Sequence, residues 1–218
     1  MKQILKSKFL CTLLATACIF TCILGCRSYK ASDLQNGDLL FVTAKSTGLS
    51  GAINNVTQKQ ENASFDHIGI LEKTKRDAYV LHAAPKGGSQ KQRLKDFLKD
   101  QSEDGQTVVV YRLKSQYQHA ILSAVEKANT MLGKPYNFDY ILNENSYYCS
   151  DYIERAFRKN HIFKLEPMTF IDPATGKTNA FWEDFYDKKG LKVPEGEPGC
   201  NPNGLAASEK LERIKLLK

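Results

Sequence analysis

Residues 145–157, Asn-Ser-Tyr-Tyr-Cys-Ser-Asp-Tyr-Ile-Glu-Arg-Ala-Phe, constrain this chain more than any other stretch. Tyr152, Ile153, Ala156 and Phe157 recur at i, i+1, i+4 and i+5, which is one buried face of a helix. Asp151 and Glu154 stand near its start, where acidic side chains complement the positive end of the macrodipole. Cys149 therefore falls at or just before the first turn. Unpaired amides and the dipole there favour a thiolate, the nucleophilic form, and the same amides can hold a developing oxyanion. Position alone does not make a nucleophile, because free cysteines are among the most buried residues and most are inert. A working thiol needs a histidine from elsewhere in the chain.

Two histidines qualify. Residues 66–72, Asp-His-Ile-Gly-Ile-Leu-Glu, alternate as a strand with His67, Gly69 and Leu71 on one face. Gly69 permits a close approach to the backbone. Residues 78–84, Ala-Tyr-Val-Leu-His-Ala-Ala, form a second strand after a short charged turn. So short a link favours an antiparallel hairpin, which sets His67 and His82 near each other on one face. A lone strand histidine is more often a hydrogen-bonded structural residue; a pair beside a candidate thiol is more pointed. His119 lies at a helix start with no candidate ligand nearby and reads as solvated.

Around these, 37–42 reads as a turn feeding a buried strand and 107–113 as another strand. Residues 43–65 are polar with a weak helical patch at Leu49, Ile53 and Val56, either a cover for a cleft or a surface loop. Residues 92–98 and 117–132 read as amphipathic helices, the second stopped by Gly133. Phe181, Trp182, Phe185 and Tyr186 make one helical face, core packing more readily than a substrate shelf. Cys200 sits in a Gly- and Pro-rich loop. Residues 208–218 read as a basic amphipathic helix that docks on the body or touches a membrane.

The 218 residues allow one domain with a full core. Residues 1–25 read as an export signal, a basic start and an apolar run ending in Ile23-Leu24-Gly25-Cys26. That ending resembles a bacterial lipobox, so Cys26 is the expected lipidation site, with 26–33 a tether and 34–218 the folded domain. An uncleaved anchor is the alternative. Of 31 basic residues, Lys2, Lys6 and Lys8 leave with the signal, so 28 face 24 acidic ones. A net charge of +4 without a nucleic-acid motif gives no reason to expect nucleic acid as a partner. Only Cys26, Cys149 and Cys200 remain, too few for a disulfide framework.

Four motifs in order carry a family resemblance: Gly37-Asp38-Leu39, Asp66-His67-Ile68-Gly69-Ile70, Gly133-Lys134-Pro135-Tyr136-Asn137-Phe138 and Tyr147-Tyr148-Cys149-Ser150-Asp151. The chain resembles the permuted papain-like amidases, the YiiX/YaeF-like branch of the NlpC-type cysteine peptidase superfamily, over roughly residues 33–205. The resemblance implies an α+β, circularly permuted papain-like fold. An antiparallel sheet or partial barrel carries the histidine and helices pack around the cysteine. It also implies Cys149 as nucleophile and His67 as general base. The chain departs from the branch at His82, where its members often carry glutamate. A neutral imidazole can orient His67 but stabilises an imidazolium less than a carboxylate does. Related lecithin:retinol acyltransferase-like proteins use two histidines and a cysteine.

The leading expectation is a lipid-anchored cysteine amidase or peptidase of the bacterial cell envelope, on its periplasmic or surface face. It would cut an amide, in a cell-wall peptide or an acyl-amide, through acyl-Cys149 with His67 and His82, and no cofactor or metal is called for. A thiol acyltransferase or esterase acting on lipids is the second expectation, and a lipoprotein that binds without turnover the third. Metal binding by His67, His82 and Cys149 lacks the paired spacing such sites use.

Overall fold

The computed structural model describes residues 33–57 and 64–217. In chain order, β1 (Leu39–Thr43) and α1 (Gly48–Thr57) precede the hairpin β2 (Phe65–Lys73) and β3 (Ala78–Ala84). Then come β4 (Gly88–Arg93), α2 (Leu94–Glu103) and β5 (Val108–Leu113). A 3-10 turn over Ser115–Ala120 runs into α3 (Ile121–Thr130), and a long loop reaches α4 (Cys149–Phe157). The chain continues through β6 (Glu166–Pro167), α5 (Ala180–Asp187), β7 (Pro198–Gly199), α6 (Pro202–Ala206) and β8 (Leu211–Leu217). One antiparallel sheet has the order β4-β3-β2-β1-β5-β8, and β6 pairs with β7 apart from it.

Strand β1 is the middle of this sheet, and its run Leu39-Leu40-Phe41-Val42 is buried on both sides. Leu39 and Phe41 join Ile68, Ile70, Leu81 and Ala83 on the face covered by α3 and α4. Leu40 and Val42 join Leu71, Val80, Val108 and Val110 on the face covered by α2. A strand buried on both faces loses its alternation, hence the continuous apolar run.

All nine residues of α4 are buried, including its charges. Arg155 Nε donates to Asp151 Oδ1 at 2.6 Å and Arg155 Nη1 to Glu144 Oε1 at 2.6 Å. Arg158 Nε donates to Glu154 Oε2 at 2.9 Å. Pairing is what makes such burial tolerable. The helix is therefore a central strut rather than an amphipathic surface element.

The expected C-terminal helix over 208–218 is instead the edge strand β8. Its register against β5 slips between Val110 and Tyr111, which pair with Lys215 and Arg213, so Ile214 is the extra residue. The bulge reverses the inside–outside phase, leaving apolar residues at helix-like spacing in an extended chain. Residues 90–93, partly assigned to a helix, extend β4, and α2 starts at Leu94. The helix expected over 117–132 begins as the 3-10 turn and becomes α-helical at Ile121. The weak patch in 43–65 is a true helix, α1. The expected signal and Cys26 lie outside the described residues.

Candidate active site

Strands β2 and β3 pair only from Ile70 and Leu81 toward their turn. Beyond that point they part, and the gap is the site. Gly69 stands at its edge: a β-carbon there would meet Val80 Cγ1 at 2.4 Å and His82 Cβ at 3.2 Å. The missing side chain lets β3 bring His82 close, and His67 Nε2 lies 2.8 Å from His82 Nδ1. The two rings share the face of Phe97, with centroids 6.2 Å and 5.2 Å from it. The hairpin thus makes the pair that its short link leads one to expect.

Cys149 is the first residue of α4, preceded by Tyr148 in extended conformation. Its Sγ lies 3.8 Å from the carbonyl oxygen of Asp66, against the strand backbone that flanks His67. The thiol packs with Ile68 and Ile70, while the imidazoles turn to Phe97 on the other side. Among the described residues no hydrogen bond joins the thiol to either ring. The structure unites the two histidines and brings Cys149 to the main chain beside His67.

The loop before α4 is clamped from β4. Ser89 Oγ donates to Met131 O at 2.7 Å and accepts from Lys134 N at 2.8 Å, while Ser89 N donates to Lys134 O at 2.8 Å. Gly88 makes this possible, since a β-carbon there would sit 2.1 Å from Lys134 O. Tyr147 N then donates to Pro135 O and Asn137 N to Tyr147 O, both at 3.1 Å. These bonds deliver Tyr136, Tyr140 and Tyr148 to a cavity of about 510 Å³ that Cys149 also lines. Ile53, Val56 and Thr57 of α1 form one wall, so the polar segment covers a cleft. Met168, Phe170 and Trp182 form another, and Cys200 stands beside the thiol's helix, its carbonyl accepting from Ser150 Oγ at 3.0 Å. His67 and His82 do not line this cavity. Sequence reasoning missed Ser89, Asp66 and Tyr140; the polar strand β4 carries no apolar period to announce it.

Burial favours the neutral forms of the thiol and of both imidazoles. Burial pushes the Cys149 thiol up to about 12, the Asp66 carboxylate adds to that, and the amides of Ser150 and Ile68 offset only part. Desolvation therefore outweighs the helix terminus on which a thiolate was expected. His67 is lowered by burial and then by repulsion from His82. Burial lowers His82 to about 4, with Gln92 and Asp100 opposing. Asp66, which accepts from Ser50 Oγ and from Gln106 Nε2 at 3.1 Å, is raised by burial. His119 is exposed, as expected, with Nδ1 3.0 Å from Gln116 O. Among the described residues no cluster of three or more His, Cys, Asp or Glu side chains is arranged to hold a metal.

Residues 33–215 match the family described as permuted papain-like amidase enzyme, YaeF/YiiX, C92 family. The chain also resembles the crystal structure of metalloprotein yiiX from Escherichia coli O157:H7. The TM-score is 0.67 at 22% identity, over 83% of this chain and 96% of that one, a likeness of fold. No curated protein matches the chain. A six-stranded antiparallel sheet carrying the histidines, a buried helix that begins at the cysteine, and a family match across nearly the whole described chain agree: the chain belongs to the permuted papain-like cysteine amidases of the YaeF/YiiX, C92 family.

Proposed function

We propose that this amidase is a lipid-anchored protein of the bacterial cell envelope that hydrolyses an amide bond in cell-wall peptides through an acyl-Cys149 intermediate. The observation that carries the chemistry is the position of Cys149: first residue of a buried helix, lining a cavity, against the backbone of His67. The envelope assignment rests on the apolar run ending at Cys26.

In this reading His67 is the general base and His82 orients it. If His67 Nε2–H donates to His82 Nδ1, then His67 Nδ1, the ring nitrogen nearest the strand, is left bare to take the thiol proton. Thiol and imidazole are both neutral at rest, so the proton moves during attack rather than before it. Substrate binding has to bring Nδ1 and Sγ into hydrogen-bond reach, since apo sites are often looser than the reacting complex. The amides at the start of α4 face the developing negative charge.

The aromatic and aliphatic walls of the cavity favour a second reading, hydrolysis or transfer of a lipid acyl group by the same thiol. One experiment separates them. Peptidoglycan stem peptides and long-chain acyl esters are incubated with the wild type and with Cys149→Ala, and acid-quenched samples are searched by mass spectrometry for an acyl adduct on Cys149. Cys149-dependent cleavage of stem peptides is expected; turnover of acyl esters alone would transfer the assignment to lipids. Detergent partitioning that is lost in Cys26→Ser checks the anchor.

A further inference from the structure

Two costs meet at Tyr140. Its backbone is left-handed, with φ at 56°, a region that crowds a bulky side chain. Its hydroxyl is buried without a hydrogen-bond partner, in a residue only 8% exposed. Burial of an unpaired hydroxyl forfeits its bonds to water with nothing in return. Among the described residues no other combines the two.

The surroundings hold Tyr140 in this position. Asn137 brackets it, its Oδ1 accepting from Asp139 N at 3.0 Å and its Nδ2 donating to Ile141 O at 2.7 Å. The hydroxyl of Tyr186 fastens the same turn by donating to Asp139 O at 3.0 Å. The Tyr140 ring packs against Tyr148 and Trp182, with centroids 5.4 Å and 5.7 Å away. Tyr140 lines the cavity that Cys149 lines. Burial, and then the charge of a Cys149 thiolate, raise its phenol above the usual range, while the neighbouring Tyr136 hydroxyl, acting as a donor toward it, opposes them and leaves the Tyr140 proton free, so the group stays a donor throughout.

We infer that the Tyr140 hydroxyl donates a hydrogen bond to the substrate carbonyl oxygen as Cys149 attacks, which makes it a further catalytic residue. This rests on the acyl-Cys149 reading. As the Sγ–C bond forms, the thiol proton passes to His67 and the carbonyl π pair moves onto oxygen. Tyr140 keeps its proton and bonds that oxygen. On collapse the C=O bond re-forms, the C–N bond breaks, and the amine leaves with the proton from His67. The donor that is unpaired at rest finds its partner only when charge develops, which is how a preorganised donor favours the transition state over the ground state.

The test uses p-nitrophenyl butyrate with wild type, Tyr140→Phe and Cys149→Ala, and thermal melting of each. Tyr140→Phe keeps the ring and removes the unpaired hydroxyl. It should lower kcat about 10²–10³-fold with KM little changed, as loss of one oxyanion donor does. Its melting temperature should hold or rise. Inhibition by butyraldehyde, whose thiol adduct places an oxygen at the same point, should weaken in parallel. Wild-type kcat in Tyr140→Phe, with Cys149→Ala inactive, overturns the inference and leaves the Cys149 reading standing. A fall in kcat matched by a fall in melting temperature makes Tyr140 structural and also overturns it. Where only the stem peptides are turned over, the same comparison of kcat is made on them. A wild type no faster than Cys149→Ala on both substrates removes the acyl-Cys149 reading and this inference with it.

Discussion

On one side of β2, Ile68 and Ile70 pack with Cys149, Ile153 and Phe157 in the larger core, under two helices. On the other, His67 and, from β3, His82 are covered through a single ring, Phe97 of α2. The thiol is held redundantly: every residue of its helix is buried, and its buried charges are paired. The imidazole pair is held by the bond between the two rings, by the contacts both make with Phe97, and by Gln92 beside His82. The proposed nucleophile is thus part of the rigid frame, while the proposed base sits on the thinner side, where small changes can move it. Substitutions on the two sides should separate accordingly.

The largest effect should come from removing either partner across the strand. Cys149→Ala and His67→Ala should each lower turnover of a Cys149-dependent substrate about 10⁴–10⁶-fold, the loss seen when a nucleophile or its base is deleted. His82→Ala should cost about 10–10⁴-fold, between a modest loss of positioning and a failed orienter. Steady-state rates on the three purified variants check this. Full turnover in His67→Ala would leave the imidazole face a structural one.

Phe97→Ala tests the thinner side directly. The ring is fully buried, so its loss should lower stability by about 3–5 kcal/mol in urea unfolding. Turnover should fall as well, because His82 loses the ring packed against it. Ile153→Val, in the larger core, should cost about 0.5–1.5 kcal/mol and leave turnover near wild type. Equal effects on turnover from the two would erase the distinction between the faces.

The same asymmetry explains what the sequence made legible. Strands β2 and β3 show alternation and a short link, so the meeting of His67 and His82 follows from local chemistry. Helix α4 shows its apolar face and its start at Cys149. Its total burial was hidden, because Asp151 and Glu154 read only as acidic partners of the helix dipole, and nothing in the sequence announces that Arg155 pairs with Asp151 and with Glu144 of the preceding loop. With that burial hidden, the rise of the Cys149 pKa was hidden too. The edge strands escaped for different reasons. Strand β4 is polar, as a protected edge is, and β8 carries a bulge that breaks its period at Ile214. The left-handed turn at Tyr140 depends on the Asn137 side chain, and a lone asparagine does not announce it.

Acid should act on the two sides with opposite sign. Folded His82 titrates near 4 against an ordinary value of 6.5. Between those values the unfolded chain binds protons that the folded one refuses. Stability should therefore fall as pH drops from about 6.5 to about 4 and level off below, by on the order of 3 kcal/mol. His67 is lowered for the same reason and acts with the same sign. Asp151, on the thiol side, is raised by burial to about 6 against 3.8, and Asp66 is raised by burial as well; both work the other way, gaining stability as pH falls. Because these groups oppose one another, the test is a difference: on going from pH 7 to 4, urea midpoints should fall further, or rise less, in the wild type than in His82→Gln. An unchanged acid limb in that variant would place the loss elsewhere.

The smallest expected effect isolates a neighbour of His82 on α2's side. Gln92 raises the His82 pKa, against the stronger effect of burial, and its Nε2 donates to Asp100 Oδ2 at 2.6 Å. That bond is exposed, so Gln92→Leu should cost only about 0.5 kcal/mol at pH 7, the low end for a hydrogen bond. Without Gln92 the His82 pKa should drop further, because burial then acts with less opposition. The window over which the unfolded chain outbinds the folded one then widens at its acid end. The stability difference between pH 7 and pH 4 should grow, in the opposite direction to His82→Gln. Urea midpoints at those two pH values on the same variant measure both quantities. A loss at pH 7 with no change in the difference would mean that Gln92 serves only the bond to Asp100. The imidazole pair would then be governed by Phe97 and burial alone.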